Sequence, residues 1–375
     1  MRVRLSLGAA QPLAKALEDP RREALVHCLV SVALSMIGRS AEAIEHGERA
    51  MAIAEALQEP MLRIAARHSL GVSHWYLGAY RTAIGFCQRD VGLEPEQIPE
   101  RLLQPWGAGV FEEALTRVSY SISQSTVAFC FAEIGEFDQA MLHAERAVRF
   151  AQILDNLFLR AMVDAWLGFV HLLKGDLQKA LHLAQRWLQT YAAADLPFPQ
   201  LVMAAYLGEV FNVSGQLDDA LALLDRAWQF AESKGILAYG QPVLALMGDA
   251  YGRAGRIDEA VTTGQRALEL ARELGQRGDE ARTLYLLGNI YGYDASANAT
   301  QARDSYQQAL VLAHELGMRP LEAQCQFALG ELAKKAGEQR GAQEQFGTAV
   351  SMFREMGMQF WLEKAESALK ELSAQ

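Results

Sequence analysis

The chain has 375 residues, 51% apolar and 21% charged, with 30 glycines, 10 prolines and 4 cysteines. That apolar share excludes a disordered chain, and aperiodic Gly and Pro exclude collagen-like and low-complexity classes. A formal charge of −10 repels phosphate backbones and anionic lipid. With no basic stripe to offset it, neither a nucleic-acid nor a membrane partner is expected.

At the start, Arg2 and Arg4 precede an apolar run that stops at Gln11 and Pro12, short of a signal-peptide core. No segment reaches the roughly 20 apolar residues needed to cross a bilayer. The stretch from Leu13 to Pro20 matches that from Ile53 to Pro60 forty residues later. Residues 1–20 are therefore expected to be the remnant of an earlier repeat, and the chain a piece of a longer array. Cys28, Cys87, Cys130 and Cys325 are scattered, with no CxxC pair, which fits reduced thiols in a cytoplasmic protein.

From Gly38 onward a pattern Gly-x-x-x-x-Ala recurs: Gly38…Ala43, Gly78…Ala83, Gly135…Ala140, Gly175…Ala180, Gly215…Ala220, Gly255…Ala260 and Gly337…Ala342. An eighth copy, Ala297…Ala302, lacks the glycine. Successive copies start 40, 57, 40, 40, 40, 42 and 40 residues apart. Seven residues before the turn glycine stands a small residue: Ser31, Gly71, Ala128, Gly168, Gly208, Gly248 or Gly330, with Gly288 in the eighth copy. Another small column follows at Ala50, Ala147, Ala227, Ala267, Ala309 and Ala349, with Asp90 and Trp187 as exceptions. Apolar residues recur at spacings of three, four and seven, as in Leu217, Ala220, Leu221, Leu224 and Ala227, which predicts helices. Small residues at fixed heights let two antiparallel helices approach closely, and glycine ends the first of them with a left-handed cap. Asp176, Asp218 and Asp258 then suit the start of the second helix. Each repeat is thus a helix–turn–helix pair that buries its apolar face only by stacking on its neighbours.

The interval of 57 holds 17 extra residues, predicted as an inserted loop over 94–109 containing Pro95, Pro99, Pro105 and Trp106. At the end, residues 360–375 are expected to supply a capping helix, with Trp361, Ala365, Leu369 and Leu372 inward. Catalytic chemistry is not found. Gly107 and Gly109 have no third glycine after them, and no GxxxxGK[ST] phosphate loop occurs. His143, His171 and His182 come from different helices, so no metal site is expected. Carboxylate pairs such as Asp218 and Asp219 recur in each repeat, as helix capping requires and a single acid–base pair does not. The chain is read as no enzyme, with no cofactor.

These columns resemble the tetratricopeptide repeat, with Leu207-Gly208-x2-Phe211…Ala220-x3-Leu224-x2-Ala227 a good copy. The resemblance implies an all-α fold: a single TPR-like α-solenoid over residues 1–375, of about eight repeats of period about 40, forming a right-handed superhelix. The usual period of 34 leaves about six extra residues per repeat to lengthen the helices. A narrower likeness lies in Tyr306–Leu310, His314–Pro320 and Met352–Glu366, similar to the closing repeats of bacterial signalling proteins in which a class III adenylate cyclase domain and a STAND-like ATPase precede a TPR array. It implies a regulatory array bound to such an effector.

In such arrays the first helices line a concave groove. The residue after the small column, and those three or four further on, are expected to face it. The partner-binding groove is therefore assigned to Trp75, Phe129, Phe169, Glu209, Asn212, Asp249 and Asn289, apolar in its first half and acidic or amide-bearing in its second. The expected function is a non-catalytic scaffold for a protein or peptide segment. The alternative is a small-molecule sensor controlling an attached ATPase or cyclase.

Overall fold

The computed structural model describes residues 19–89, 111–191, 193–194, 196–293 and 295–373, leaving aside the side chains of 111–117 and 295–297. The inserted loop at 94–109 and all but the last two residues of the 1–20 remnant lie outside the described residues. Among those described there are seventeen α-helices and no strand. They form successive antiparallel pairs: α1 (Pro20–Met36) with α2 (Ser40–Ala56), α3 (Pro60–Tyr76) with α4 (Tyr80–Gln88), and α5 (Phe111–Glu133) with α6 (Phe137–Ile153). Next come α7 (Leu157–Lys174) with α8 (Leu177–Tyr191), and α9 (Pro197–Ser214) with α10 (Leu217–Lys234). Then follow α11 (Leu237–Arg253) with α12 (Ile257–Glu273), α13 (Arg277–Tyr293) with α14 (Ala295–Leu316), and α15 (Arg319–Lys335) with α16 (Gln339–Glu355). α17 (Gln359–Ser373) stands last. The odd-numbered helices also pack on one another along the stack, so the all-α solenoid read from the sequence is the fold. Most helices have 17 or 18 residues, which is where the long period goes.

The recurring alanines are the points of closest approach. Ala43, Ala83, Ala140, Ala180, Ala220, Ala260, Ala302 and Ala342 are all fully buried. The small column opposite explains itself by what sits against it: Cys87 on Gly71, Leu224 on Gly208, Tyr306 on Gly288 and Phe346 on Gly330. Gly168 receives a residue of the next pair instead. A methyl group there would fall 2.6 Å from Cε1 of Tyr206, a fully buried ring whose hydroxyl donates to the Ala180 carbonyl.

The turn glycine acts as expected at Gly215, left-handed at φ 77°, where Gln216 N–H donates to Phe211 O. A second left-handed column closes the turns between later pairs, at Gly235, Gly275, Gly317 and Gly357. Its earlier counterparts are Gln58 and Asp155 at φ 54° and 45°, and so the period is hidden there. Where glycine gives way to Ala297, no left-handed turn forms. Instead α14 is kinked at Asn298, φ −125° and ψ 20°.

Pro242 sits inside α11 and cannot donate to the Ala238 carbonyl one turn back. Gln276 takes over: its Nε2 donates to Ala238 O at 3.0 Å and to Asp279 Oδ2 at 2.9 Å.

The stack then meets itself. Gly38 is pressed against Leu274, Gly78 against Gly278 and Leu316, Gly135 against Met356 and Arg319, and Gly175 against Phe360 and Trp361. Tyr80 Oη lies 3.9 Å from Met318 Sδ, and Glu133 of α5 pairs with Arg282 of α13. One continuous core joins early residues such as Ile84 and Phe131 to late ones such as Leu321 and Phe353.

Packing around the glycines can be probed with a methyl group. Gly168→Ala, despite a helix-propensity gain of about 1 kcal/mol, is expected to lose about 1–2 kcal/mol net in urea unfolding because the Tyr206 ring must move. Gly347→Ala in α16, where a methyl group meets nothing within 4 Å, is expected to gain about 0.5–1 kcal/mol. The Gln276 bridge has its own signature. Gln276→Ala is expected to cost about 1–3 kcal/mol in the native background. Beside Pro242→Ala it is expected to cost about 1 kcal/mol less, because the restored N–H answers Ala238. A double-mutant cycle by urea denaturation checks it.

Candidate binding chamber

Because late repeats close over early ones, the concave surface is a chamber of about 340 Å³ rather than an open groove. Ten aromatic side chains line it. Trp75, Tyr76 and Tyr80 come from the α3–α4 turn, Phe129 from α5, and Trp166 and Phe169 from α7. Tyr239 of α11, Tyr285 of α13, and Phe360 and Trp361 of α17 complete the set. The rings meet edge to face: Trp75 and Trp166 centroids are 5.2 Å apart, Trp75 and Phe129 5.8 Å, Phe129 and Phe169 6.0 Å, and Tyr76 and Tyr239 5.7 Å.

Of the residues assigned from sequence, Trp75, Phe129, Phe169 and Glu209 line this chamber together. Asn212, Asp249 and Asn289 do not, which corrects their expected place. Asn212, 2% exposed, donates from Nδ2 to Leu246 O at 3.0 Å and to Asp249 Oδ2 at 3.4 Å. Asp249, equally buried, also takes Arg253 Nε at 2.7 Å and Tyr293 Oη at 3.0 Å. Asn289 accepts from Tyr306 Oη at 2.7 Å. These three tie neighbouring helices together.

The reason is the course of the lumen along the stack. In α7 it passes the C-terminal half of the helix, at Trp166, Phe169 and Leu173. In α11 it runs along the helix from Tyr239 and Gln241 to Arg253, and by α13 it passes the N-terminal half, at Asp279 and Arg282. A row drawn at constant height from the small column thus leaves the chamber after α9. Sequence reasoning missed Trp166, Tyr239, Gln241, Asp279, Arg282 and Trp361. The available signal was Asp279 and Arg282 on the first turn and a half of an inner helix, three apart on one face.

The charges in the wall are unequal in their surroundings. Burial, with Asp249 close by, pushes Glu209 up to about 7 against the pull of Arg253. Burial alone pushes Asp279 up to about 7. Arg282, over the Phe129 ring at 5.9 Å, is pushed down by burial. Elsewhere His143 donates to Gln124 Oε1 at 2.7 Å, and His171 Nδ1 lies 3.2 Å from Asp176. No group of three or more metal-ligating side chains occurs among the described residues. Nor is any described helix long and apolar enough to cross a membrane.

A family model of the tetratricopeptide repeat matches residues 242–310. No curated protein sequence matches the chain significantly. Solved structures of similar fold include a Rap protein complexed with competence and sporulation factor, at 11% identity over 94% of this chain and 98% of that one, with a TM-score of 0.56. The Rap conjugation gene regulator of plasmid pLS20, in complex with the Phr* peptide, aligns at 14% identity over 89% and 85%, also at 0.56. The human IFIT1 dimer with PPP-AAAA aligns at 17% over 98% and 76%, at 0.54. At these identities the likeness is one of fold: an α-solenoid of TPR-like helix pairs.

The raised carboxyls make a pH prediction. Both hold protons in the folded state at pH values where an unfolded chain has lost them. Their effect on stability is therefore absent well below pH 4 and grows more unfavourable as pH rises to 7. Glu209→Gln and Asp279→Asn are each expected to be more stable than the native chain at pH 8, on the order of 1–3 kcal/mol. Most of that difference disappears by pH 4.5. His68 and His143, pushed down to about 4 by burial, destabilise all variants alike as pH falls, so the comparison is read as a difference in urea midpoints.

Proposed function

We propose that this chain is a non-catalytic interaction module that takes a short segment of a protein or peptide partner into its chamber, using aromatic anchors. The observation that carries the reading is the chamber itself: a recessed cavity of about 340 Å³ whose lining includes ten aromatic side chains. Buried aromatic pockets of this kind supply most of the energy in partner binding. Trp75, Phe129 and Phe169 are the proposed anchors and Glu209 the polar contact. Asn212, Asp249 and Asn289 act behind them by holding the helices in place. The Rap structures, one complexed with competence and sporulation factor and one with the Phr* peptide, support this choice of partner. The net charge of −10 disfavours nucleic acid, whatever the IFIT1 fold holds. A cytoplasmic setting suits four buried cysteines that are all free thiols.

A second reading rests on size. A cavity near the lower end of the roughly 300–1,000 Å³ of small-ligand sites also suits a metabolite. The array would then be a sensor governing an attached ATPase or cyclase effector.

The test fills the chamber. Random ten-residue peptides are selected for binding to the full chain and then measured against Ala205→Trp, a substitution within the lining. Enriched peptides are expected to lose at least about tenfold in affinity on the filled variant, with unchanged circular dichroism. Equal binding to both proteins refutes the chamber as the partner site. A thermal shift produced by one metabolite and abolished by Ala205→Trp selects the sensor reading instead.

A further inference from the structure

The chamber wall is not neutral within itself. Its three cations are accounted for. Arg253 is held by Asp249 at 2.7 Å and Arg282 by Glu133. Lys364 lies over Phe360 and Trp361, 4.3 and 5.4 Å from the ring centroids. The acceptors are not accounted for. Glu209 has Arg253 in its field but forms no ion pair or hydrogen bond with any described residue. Asp279 receives only the neutral amide of Gln276, at 2.9 Å. Gln241, fully buried in the same wall, donates from Nε2 to Ala267 O at 3.0 Å and to Thr283 Oγ1 at 2.9 Å. Its Oε1 has no partner among the described residues.

The wall's unanswered acceptors are two carboxylates and an amide oxygen; a donor left unanswered beside them, Trp166 Nε1, is neutral and fixed in the wall, so what the site lacks is a donor that bears positive charge. The surrounding rings ask for the same thing, since aromatic faces carry negative charge density toward a bound cation. An anionic ligand would be repelled. A neutral one would leave both carboxylates stripped of water without recompense.

We propose that the chamber, granted that it is the binding site, recognises an organic ammonium, a protonated amine on an apolar body, with Glu209 and Asp279 as its counter-charges. Gln241 Oε1 accepts one of its N–H bonds, and Trp75, Phe129 and Tyr239 surround the body. Such a group belongs to a peptide's free N-terminus and equally to a small arylalkyl amine. The recognition chemistry is the same for both.

The experiment uses the full chain and four probes: 2-phenylethylamine, its neutral isostere 2-phenylethanol, and a Phe-Leu-Phe-Leu peptide with a free or an acetylated N-terminus. Calorimetry gives affinity, and tryptophan emission reports entry beside Trp75 and Trp166. Amine-bearing probes are expected to bind at least about tenfold tighter than their neutral counterparts. Glu209→Gln and Asp279→Asn are each expected to remove most of that preference, bringing the amine's affinity down toward that of 2-phenylethanol on the same variant. A tighter fit for the free peptide than for 2-phenylethylamine points to a peptide source of the ammonium, and the reverse order to a small amine. Equal affinity for amine and alcohol in the native chain overturns the charge assignment while the chamber stands. That comparison needs no variant to fold. Emission unmoved by every probe overturns the chamber reading itself.

Discussion

Close approach of helices at fixed heights is the constraint on which this molecule depends. The fully buried alanines from Ala43 to Ala342 set the distance within each pair, and Gly71, Gly208 and Gly330 receive the side chains that lock it. A larger residue at any of these heights would push one pair off the angle of its neighbours. Because the same separation is repeated, each pair is added with much the same rotation, and the array coils until late turns meet early ones. The meeting points are again glycines: Gly38, Gly78, Gly135 and Gly175 leave room for Leu274, Leu316, Met356 and Trp361.

The chamber is a product of that coiling, and so is its electrostatic strain. An open concave surface would leave Glu209 and Asp279 in water. Closure strips the water away and raises both carboxyls toward neutrality. Groups that destabilise a fold in order to be ready for a ligand are a familiar cost of binding sites. Here the cost falls on Glu209 and on Asp279, whose one side-chain partner among the described residues is the Gln276 amide. By contrast Asp249 is surrounded by Asn212, Arg253 and Tyr293 and serves as a fastening between helices.

How much of this was legible depends on range. The helix pairs, their number and their turns were written in short-range periodicity, and the columns that mark them are the residues that cannot vary without steric penalty. The second glycine column escaped notice because Gln58 and Asp155 hold left-handed geometry without being glycine. Part of the chamber wall was legible too: Trp75, Phe129 and Phe169, on successive inner helices, do line one cavity. The rest was not, because the lumen shifts from the C-terminal to the N-terminal halves of the helices as the coil advances. That drift is set by small rotations summed over several pairs, and no local spacing encodes it. The closure of the groove was hidden for the same reason. It depends on contacts between residues as far apart as Gly38 and Leu274.

The seam between early and late repeats alters what kind of solenoid this is. In an extended array each unit answers only to its immediate neighbours, so melting can start at a free end and creep inward. Here early pairs grip pairs four or five further along the stack, through Glu133 with Arg282 and Gly175 with Trp361. The molecule behaves less like a row of dominoes than like a keyring, whose overlapping ends stiffen the whole loop. Separating that overlap would widen the chamber while leaving the helix pairs themselves intact.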